Sequence, residues 1–333
     1  MKARVLLMLL ATLCTACAPV TRRAEFSEQA LKAEENLQRG LVLEAELVQR
    51  QRLADSSFPI TVAARQECSK HRGMNTGIEL ASSGNFKKDY TADARRLGFG
   101  DEATVATVAA TSPAAQAGLR RGDELLAIDG RKSWATGPNA ANAATEALAQ
   151  ASARGAFELK VRRSDGRLFN TQLKPVEACT IAVLVYRTAK SEIRVNERAA
   201  LIPYQVVRLA ANRNEVSAIA AFSVAAVIRE LGVPSSNASP GSFSNETSLT
   251  TVDDPRLVIQ NVPLHAKDLQ EADTYAVELM RRTGTPPAVA VSFWRKLIAR
   301  NMTSERDSWG MQYKDAERMA ALDNASRTKG DRP

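Results

Sequence analysis

Two histidines, four cysteines and a scatter of carboxylates are what this 333-residue chain offers toward metal or nucleophilic chemistry. A zinc site built on imidazole needs histidines converging on one point, and His71 and His265 cannot supply the usual set. His265 reads as an exposed loop histidine rather than a partner for Glu271. Beyond the N-terminal region only Cys68 and Cys179 remain, an even pair suited to a disulfide in an oxidising compartment. That bond would staple together the two ends of the segment between them. The chain has no Gly-x-Ser-x-Gly elbow, phosphate-cradling loop or Gly-rich dinucleotide turn, and no Cys-x-x-Cys outside the N-terminal region.

The compartment is suggested by the N-terminus. Lys2 and Arg4 precede the apolar run Val5 to Leu13, which is too short to span a bilayer and has the form of an export signal over residues 1–16. Ala16 directly precedes Cys17, and Leu13-Cys14-Thr15-Ala16-Cys17 resembles a bacterial lipoprotein processing site with Cys17 as the lipidated residue. The resemblance implies a protein held by acyl chains on a membrane of the bacterial cell envelope, facing the periplasm. Ala18 after the cysteine points to the outer membrane. No later segment is long and apolar enough to cross a bilayer; the longest, Cys179 to Tyr186, suits a buried strand. The formal charge of +8 falls to about +6 without the signal and is spread along the chain, which does not predict nucleic-acid binding.

The composition, 44% hydrophobic and 25% charged, is that of an ordinary globular protein with room for two modest domains. Leu31, Leu37, Leu41, Leu43, Leu47 and Leu53 recur at helical spacing, predicting one or two amphipathic helices that end before Pro59. From about Met74 to Val176 the pattern changes to short alternating strands, Gly-bounded turns and one Ala-rich helix, Asn139 to Ala153. A strand at Thr180 to Tyr186 and a hairpin or strand around Ala200 to Ala210 are predicted next. Helical patterns follow at Asn214–Leu231, Lys267–Thr283, Pro287–Arg300 and Lys314–Ala325. The Ser-, Asn- and Gly-rich Ser235–Thr251 reads as a mobile loop and the last residues, 327–333, as a disordered tail.

Within the strand-rich module the run from Ser112 to Gly130, SPAAQAGLRRGDELLAIDG, closely resembles the core of PDZ domains of bacterial envelope proteases. Pro113 can start a short helix, Gly118 can end it, Gly122-Asp123 can turn the chain into a strand and Asp129-Gly130 can close a hairpin. The resemblance implies a domain over residues 74–176 that receives peptides as an added strand, beside a helix at Asn139–Ala153. Two places could supply the loop whose amides meet a terminal carboxylate. Leu97-Gly98-Phe99-Gly100 has a familiar lettering but follows a helical stretch and could instead cap it. Thr76-Gly77-Ile78-Glu79-Leu80 is favoured, because a groove strand needs free amides on a sheet edge, and this assigns Gly77, Ile78 and Leu80 to peptide binding.

The helical remainder carries a second resemblance. Asn214 to Ala226, NEVSAIAAFSVAA, is similar to the helix that bears H-E-x-x-H in HtpX-like gluzincin metallopeptidases. That chemistry uses two histidines four apart to hold zinc and a glutamate to activate its water. Here the three positions are Phe222, Ser223 and Ala226. Gln270-Glu271-Ala272-Asp273 resembles the family's E-A-D helix, making Glu271 the remnant ligand and Asp273 its neighbour. Thr283 to Ala288 with Phe293-Trp294, and Gln312 to Met319 with Arg318 retained, resemble later elements. A lone Glu271 is expected to be neutral, paired with Arg318 or partly solvated.

Together the resemblances imply an α+β fold: a mainly helical zincin-like scaffold, residues 18–70 and 179–326, interrupted by a PDZ domain. The expected function is that of an inactive peptidase-like adaptor in envelope protein quality control, with zinc and all other cofactors lost. Its expected partners are peptides or C-terminal tails of envelope proteins, and the membrane through its anchor. The alternative is a divergent zinc-dependent endopeptidase of the cell envelope.

Overall fold

A computed structural model describes residues 26–187, 193–196, 198–229, 266–301 and 315–328. The expected signal, Cys17, the Ser235–Thr251 loop, His265, Gln312 and the tail beyond 328 lie outside these residues. The chain divides into two compact units, residues 1–38 and 39–333.

The first described element is a single helix, α1 (Glu28–Ala63), that continues through Pro59 instead of stopping before it. Proline has no N–H to give to the carbonyl four residues back, which here belongs to Asp55. Arg213 donates its Nη2 to that carbonyl at 3.3 Å, so the break in the ladder is repaired from outside the helix. Only the later apolar positions are buried: Leu43, Leu47 and Leu53 are 1% exposed, whereas Leu31, Leu37 and Leu41 stand at 50% or more.

After α1 the chain forms β1 (Arg72–Asn75) and β2 (Ile78–Ala81), a short helix α2 (Thr91–Arg96), β3 (Thr104–Val108), the single-turn α3 (Pro113–Gln116) and β4 (Glu124–Ile128). Helix α4 (Ala140–Arg154) follows, then β5 (Phe157–Arg162), β6 (Leu168–Leu173) and β7 (Val176–Cys179). Strands β2 to β6 make one antiparallel sheet in sequence order, while β1 and β7 pair antiparallel in a separate ribbon with Arg72 opposite Cys179. That ribbon is where the strand-rich module joins the rest of the chain. The disulfide between Cys68 and Cys179 closes its base, as the sequence led us to expect.

The remainder holds β8 (Ala182–Tyr186), β9 (Arg194–Val195), β10 (Ala199–Pro203), α5 (Tyr204–Leu209), α6 (Arg213–Ile228), α7 (Ala266–Arg282), α8 (Ala288–Asn301) and α9 (Asp315–Arg327). In the predicted hairpin region, strand therefore gives way to helix at Tyr204. Pro203 lacks the N–H to continue a ladder and leads directly into α5. Strand β10 lies between β8, to which it is parallel, and β9, to which it is antiparallel.

Helix α6 is apolar on every side, and each residue from Val216 to Val227 is buried. A helix with no polar face has to sit in the middle of a core. Here α1, the β8–β10 sheet and α7 to α9 supply its apolar surroundings. Its start is well defined: Asn212 Oδ1 accepts the Glu215 N–H at 3.1 Å, and the Glu215 carboxylate accepts the Ala211 N–H at 2.6 Å. A second core fills the strand-rich module, from Val105 and Leu125 to Leu148 and Leu173. A third joins Leu43 and Leu47 of α1 to Ala81, Phe86, Phe99 and Ala106 of that module.

At the end of α1 the Glu67 carboxylate pairs with Arg282 of α7. Burial alone would raise its pKa, but hydrogen bonds from Arg282, the backbone and Tyr275, together with the Arg282 charge, outweigh it and hold the group below its ordinary value. A depressed carboxyl stabilises the fold above its unfolded pKa and loses that contribution as pH falls through the folded value. The stability of Glu67→Gln is therefore expected to lie below that of the parent at neutral pH and to converge with it only as the pH falls from the ordinary carboxyl range through the depressed value. Urea unfolding of both proteins across that range checks this.

Candidate functional site

The run from Ser112 to Gly130 folds by local rules. Ser112 caps α3, its Oγ accepting the Ala115 N–H at 3.2 Å, with Pro113 in the first turn. Gly118 ends the helix at φ +78, a left-handed geometry open to glycine. Asp123 is 2% exposed; its Oδ2 accepts the Arg120 N–H and the Arg163 Nη1, both at 2.8 Å. The same arginine donates to the Gly118 carbonyl and lies 4.1 Å from the Phe169 ring, locking the turn to the sheet. Asp129 and Gly130 both have positive φ, +48 and +73, and Ile128 and Arg131 exchange both backbone hydrogen bonds across them.

These devices place β3, β4 and β5 in the middle of the sheet and leave β2 as one edge strand. Helix α4 packs its alanine face, Ala140, Ala141, Ala144 and Ala151, together with Leu148, into the module core beside that edge. Small side chains let the helix approach closely. Ile78 and Leu80 of β2 lie half-buried against the same core. An edge strand with unpaired backbone groups beside an apolar helix is the geometry that receives an extended segment.

The reverse face of β2 is anchored to α1. Glu79 pairs with Arg50 at 3.1 Å, Arg50 with the fully buried Glu46 at 3.1 Å, and Glu46 with Arg187 at 3.4 Å. The Arg187 guanidinium lies 3.8 Å from the Tyr204 ring. Burial works to lower the Arg50 pKa, but Glu79 and Glu46 outweigh it and raise the pKa above its ordinary value, so this arginine stays charged. Gln51 of α1 donates to the Val108 carbonyl at 2.7 Å and accepts the Val108 N–H at 3.3 Å. The face of the edge strand opposite α4 is thus tied to α1 by a chain of alternating charges.

The two loop readings separate clearly. Leu97-Gly98-Phe99-Gly100 stops α2: the Gly98 N–H donates to the Arg95 carbonyl, the Phe99 N–H to Ala94, and Gly98 takes φ +92. Phe99 is fully buried against Phe86, so this lettering serves a helix end and a core. Gly77 instead begins the edge strand at φ +76. A side chain there would collide with Ser112 and come within 3.3 Å of Phe58, so only glycine fits.

The positions that resemble a zinc-binding motif lie deep in the helical core. Phe222 is 2% exposed, Ser223 and Ala226 are fully buried, and the Ser223 Oγ donates to the Ile219 carbonyl of its own helix at 2.8 Å. Arg318 of α9, 3% exposed, grips Asp273 through Nε at 2.7 Å and Nη2 at 2.8 Å. Its guanidinium carbon lies 5.0 Å from the centroids of both Phe222 and Trp294, whose rings meet edge-to-face at 5.3 Å. A permanent organic cation fills this spot, and the side chains around it do not fit zinc. Among the described residues no three His, Cys, Asp or Glu side chains converge on one point.

Of the three alternatives expected for Glu271, pairing with Arg318 is not the one the structure shows: Glu271 is exposed, which agrees with a solvated carboxylate. Residues two apart on a helix face nearly opposite ways, and Asp273 shares the inward face with Leu269, Ala272 and Ala276. The Arg318 partner is consequently Asp273. The signal that could have found it is the i, i+3, i+4, i+7 apolar pattern of α7, which places 273 inside and 271 outside.

No curated protein matches this chain. The matched family residues span β3 to β5 with α3 and α4, while the edge strand β2 comes from the preceding segment. Residues 104–163 are a PDZ domain.

Proposed function

We propose that the protein binds segments of partner proteins by adding them as a strand to β2, in the groove beside α4. The observation that carries this reading is the edge strand itself, with Ile78 and Leu80 set beside the apolar helix of a PDZ domain. We propose further that the helical remainder is a metallopeptidase-like scaffold without catalysis. Support comes from Phe222, Ser223 and Ala226 at the motif positions and from the Arg318–Asp273 pair among the aromatic rings. In this reading the chain is an exported lipoprotein anchored through Cys17 at the outer membrane, facing the periplasm, and acts as an adaptor in protein quality control. It needs no metal or other cofactor.

The test is binding of peptide arrays to the full-length protein, followed by affinity measurements on the best sequences. Ile78→Asp and Leu80→Asp place a charge in the apolar groove and are expected to weaken binding at least tenfold, about 1.4 kcal/mol each. Circular dichroism confirms that the fold is retained. Equal binding by parent and both variants would locate recognition elsewhere and remove the assignment to β2.

A further inference from the structure

We infer that Glu79 is a positioning residue for the groove: bonded to Arg50 and Thr107 at once, its carboxylate holds β2 in the bulged register that sends Ile78 and Leu80 to the peptide side. The inference rests on the reading of β2 as the peptide-receiving edge. An edge strand has a neighbour on one side alone, and a slip of one residue moves every side chain to the other face. Such a strand needs something besides its ladder to keep its groove residues in place.

The register shows what has to be held. Ile78 pairs with Val108 and Glu79 with Thr107, then Leu80 with Val105 and Ala81 with Thr104, so Ala106 is left without a partner. In a regular ladder Leu80 would face Ala106, and paired residues point to the same side of a sheet. These two cannot share a side. Leu80 packs on the module core that holds Val105 and Leu148, whereas Ala106 is buried in a different core with Leu43 and Leu47 of α1. A bulge at Ala106 lets each keep its own core, but it interrupts the ladder that would otherwise fix β2.

Glu79 stands at that interruption. Its Oε1 lies 3.1 Å from Arg50 Nη1, and its Oε2 accepts the Thr107 hydroxyl at 3.1 Å. Thr107 follows the unmatched Ala106, so one carboxylate joins β2, the bulge and α1. Arg50 is itself fixed by Glu46 at 3.1 Å and is 12% exposed, which limits screening of the pair by salt. Helix α1 also bonds β3 and its continuation directly: besides the Gln51 bonds to Val108, Asp55 Oδ1 accepts the Ala110 N–H and the Gln51 Nε2, both at 2.8 Å. The other β2 side chains, Ile78, Leu80 and Ala81, are apolar and can form no such tie. Removing the carboxylate therefore loosens β2 while β3 stays bonded to α1.

The experiment measures, by fluorescence anisotropy, the affinity of the full-length protein for the tightest-binding ten-residue array peptide carrying a fluorescein label. Glu79→Ala is expected to weaken binding about tenfold. Glu79→Gln keeps the length and an acceptor for Thr107 and is expected to lose about threefold, as is Arg50→Met. The double variant Glu79→Gln/Arg50→Met should lose no more than either single one, because both break the same contact. Glu67→Gln breaks an ion pair of the helical remainder and should leave affinity unchanged, which separates lost positioning from lost stability. Without peptide, amide hydrogen exchange across Ile78–Ala81 is expected to quicken about tenfold in Glu79→Ala while β5 keeps its parent rates. Should Glu79→Ala fail to fold, the two milder variants decide in its place. Parent-like affinity in the Glu79 and Arg50 variants, or a loss that Glu67→Gln shares, overturns the inference while leaving the groove in place. If no peptide binds the parent, the peptide-binding reading itself fails, and this inference with it.

Discussion

Arg318→Met and Asp273→Ala are each expected to lower the unfolding free energy by about 3–5 kcal/mol, a loss that urea titration would measure. Both charges are almost fully buried and joined by two short hydrogen bonds, so removing one leaves the other without its counter-charge in an apolar core. Methionine keeps much of the bulk that packs on Phe222 and Trp294, so the Arg318→Met loss reports mainly the abandoned carboxylate. The double variant Asp273→Leu/Arg318→Met is expected to recover most of the loss, because an apolar pair of similar volume leaves no charge to solvate. A single-variant loss below about 1 kcal/mol would mean that water reaches the pair. The same variants bear on the scaffold: adding zinc to Arg318→Met should leave its stability unchanged, since the neighbouring Phe222 and Ala226 carry no lone pair to offer.

Replacing Cys68 and Cys179 together by alanine is expected to cost about 4–5 kcal/mol, from the chain entropy released when a loop of this length opens in the unfolded state. The bond joins residues 111 apart and closes the base of the β1–β7 ribbon through which the PDZ-bearing module is attached. Both cysteines are buried, so alanine leaves little unsatisfied polarity and the loss reports the cross-link itself. Titrating the oxidised parent, the reduced parent and the double variant checks it. The last two should agree with each other and fall below the first. A double variant as stable as the oxidised parent would show that ribbon pairing and the core shared by α1 and the module already hold this junction closed.

Local chemistry made much of this fold legible in advance. The turn residues of the Ser112–Gly130 run need no distant partner to act: a capped proline start, glycines at positive φ and an Asp-Gly turn each decide their own backbone geometry. The helices predicted from Asn214 and Pro287 begin within two residues of those positions in the structure, the first at the capping Asn212. Pro59 misled for a corresponding reason. Its effect on a helix depends on whether another group reaches the carbonyl it leaves bare, and Arg213 comes from more than 150 residues away. Motif lettering also proved ambiguous on its own: Leu97-Gly98-Phe99-Gly100 and Thr76-Gly77-Ile78 both fit a glycine turn before an apolar residue, and only tertiary placement separates a helix stop from a sheet edge.

What the amino-acid sequence by itself determined is therefore the set of short-range structures: the PDZ turns, the wholly apolar α6, the paired cysteines, and the absence of imidazole at the motif positions of the Phe222 helix. The tertiary structure alone decided which groups meet. It set Asp273 rather than Glu271 against Arg318, turned Glu79 away from the groove toward Arg50, and brought the Asn75 side chain onto the Gly77 amide. Spacing along a chain specifies which face a residue occupies. Whether that face finds a counter-charge, a donor or an apolar ring depends on segments remote in sequence that packing brings into contact.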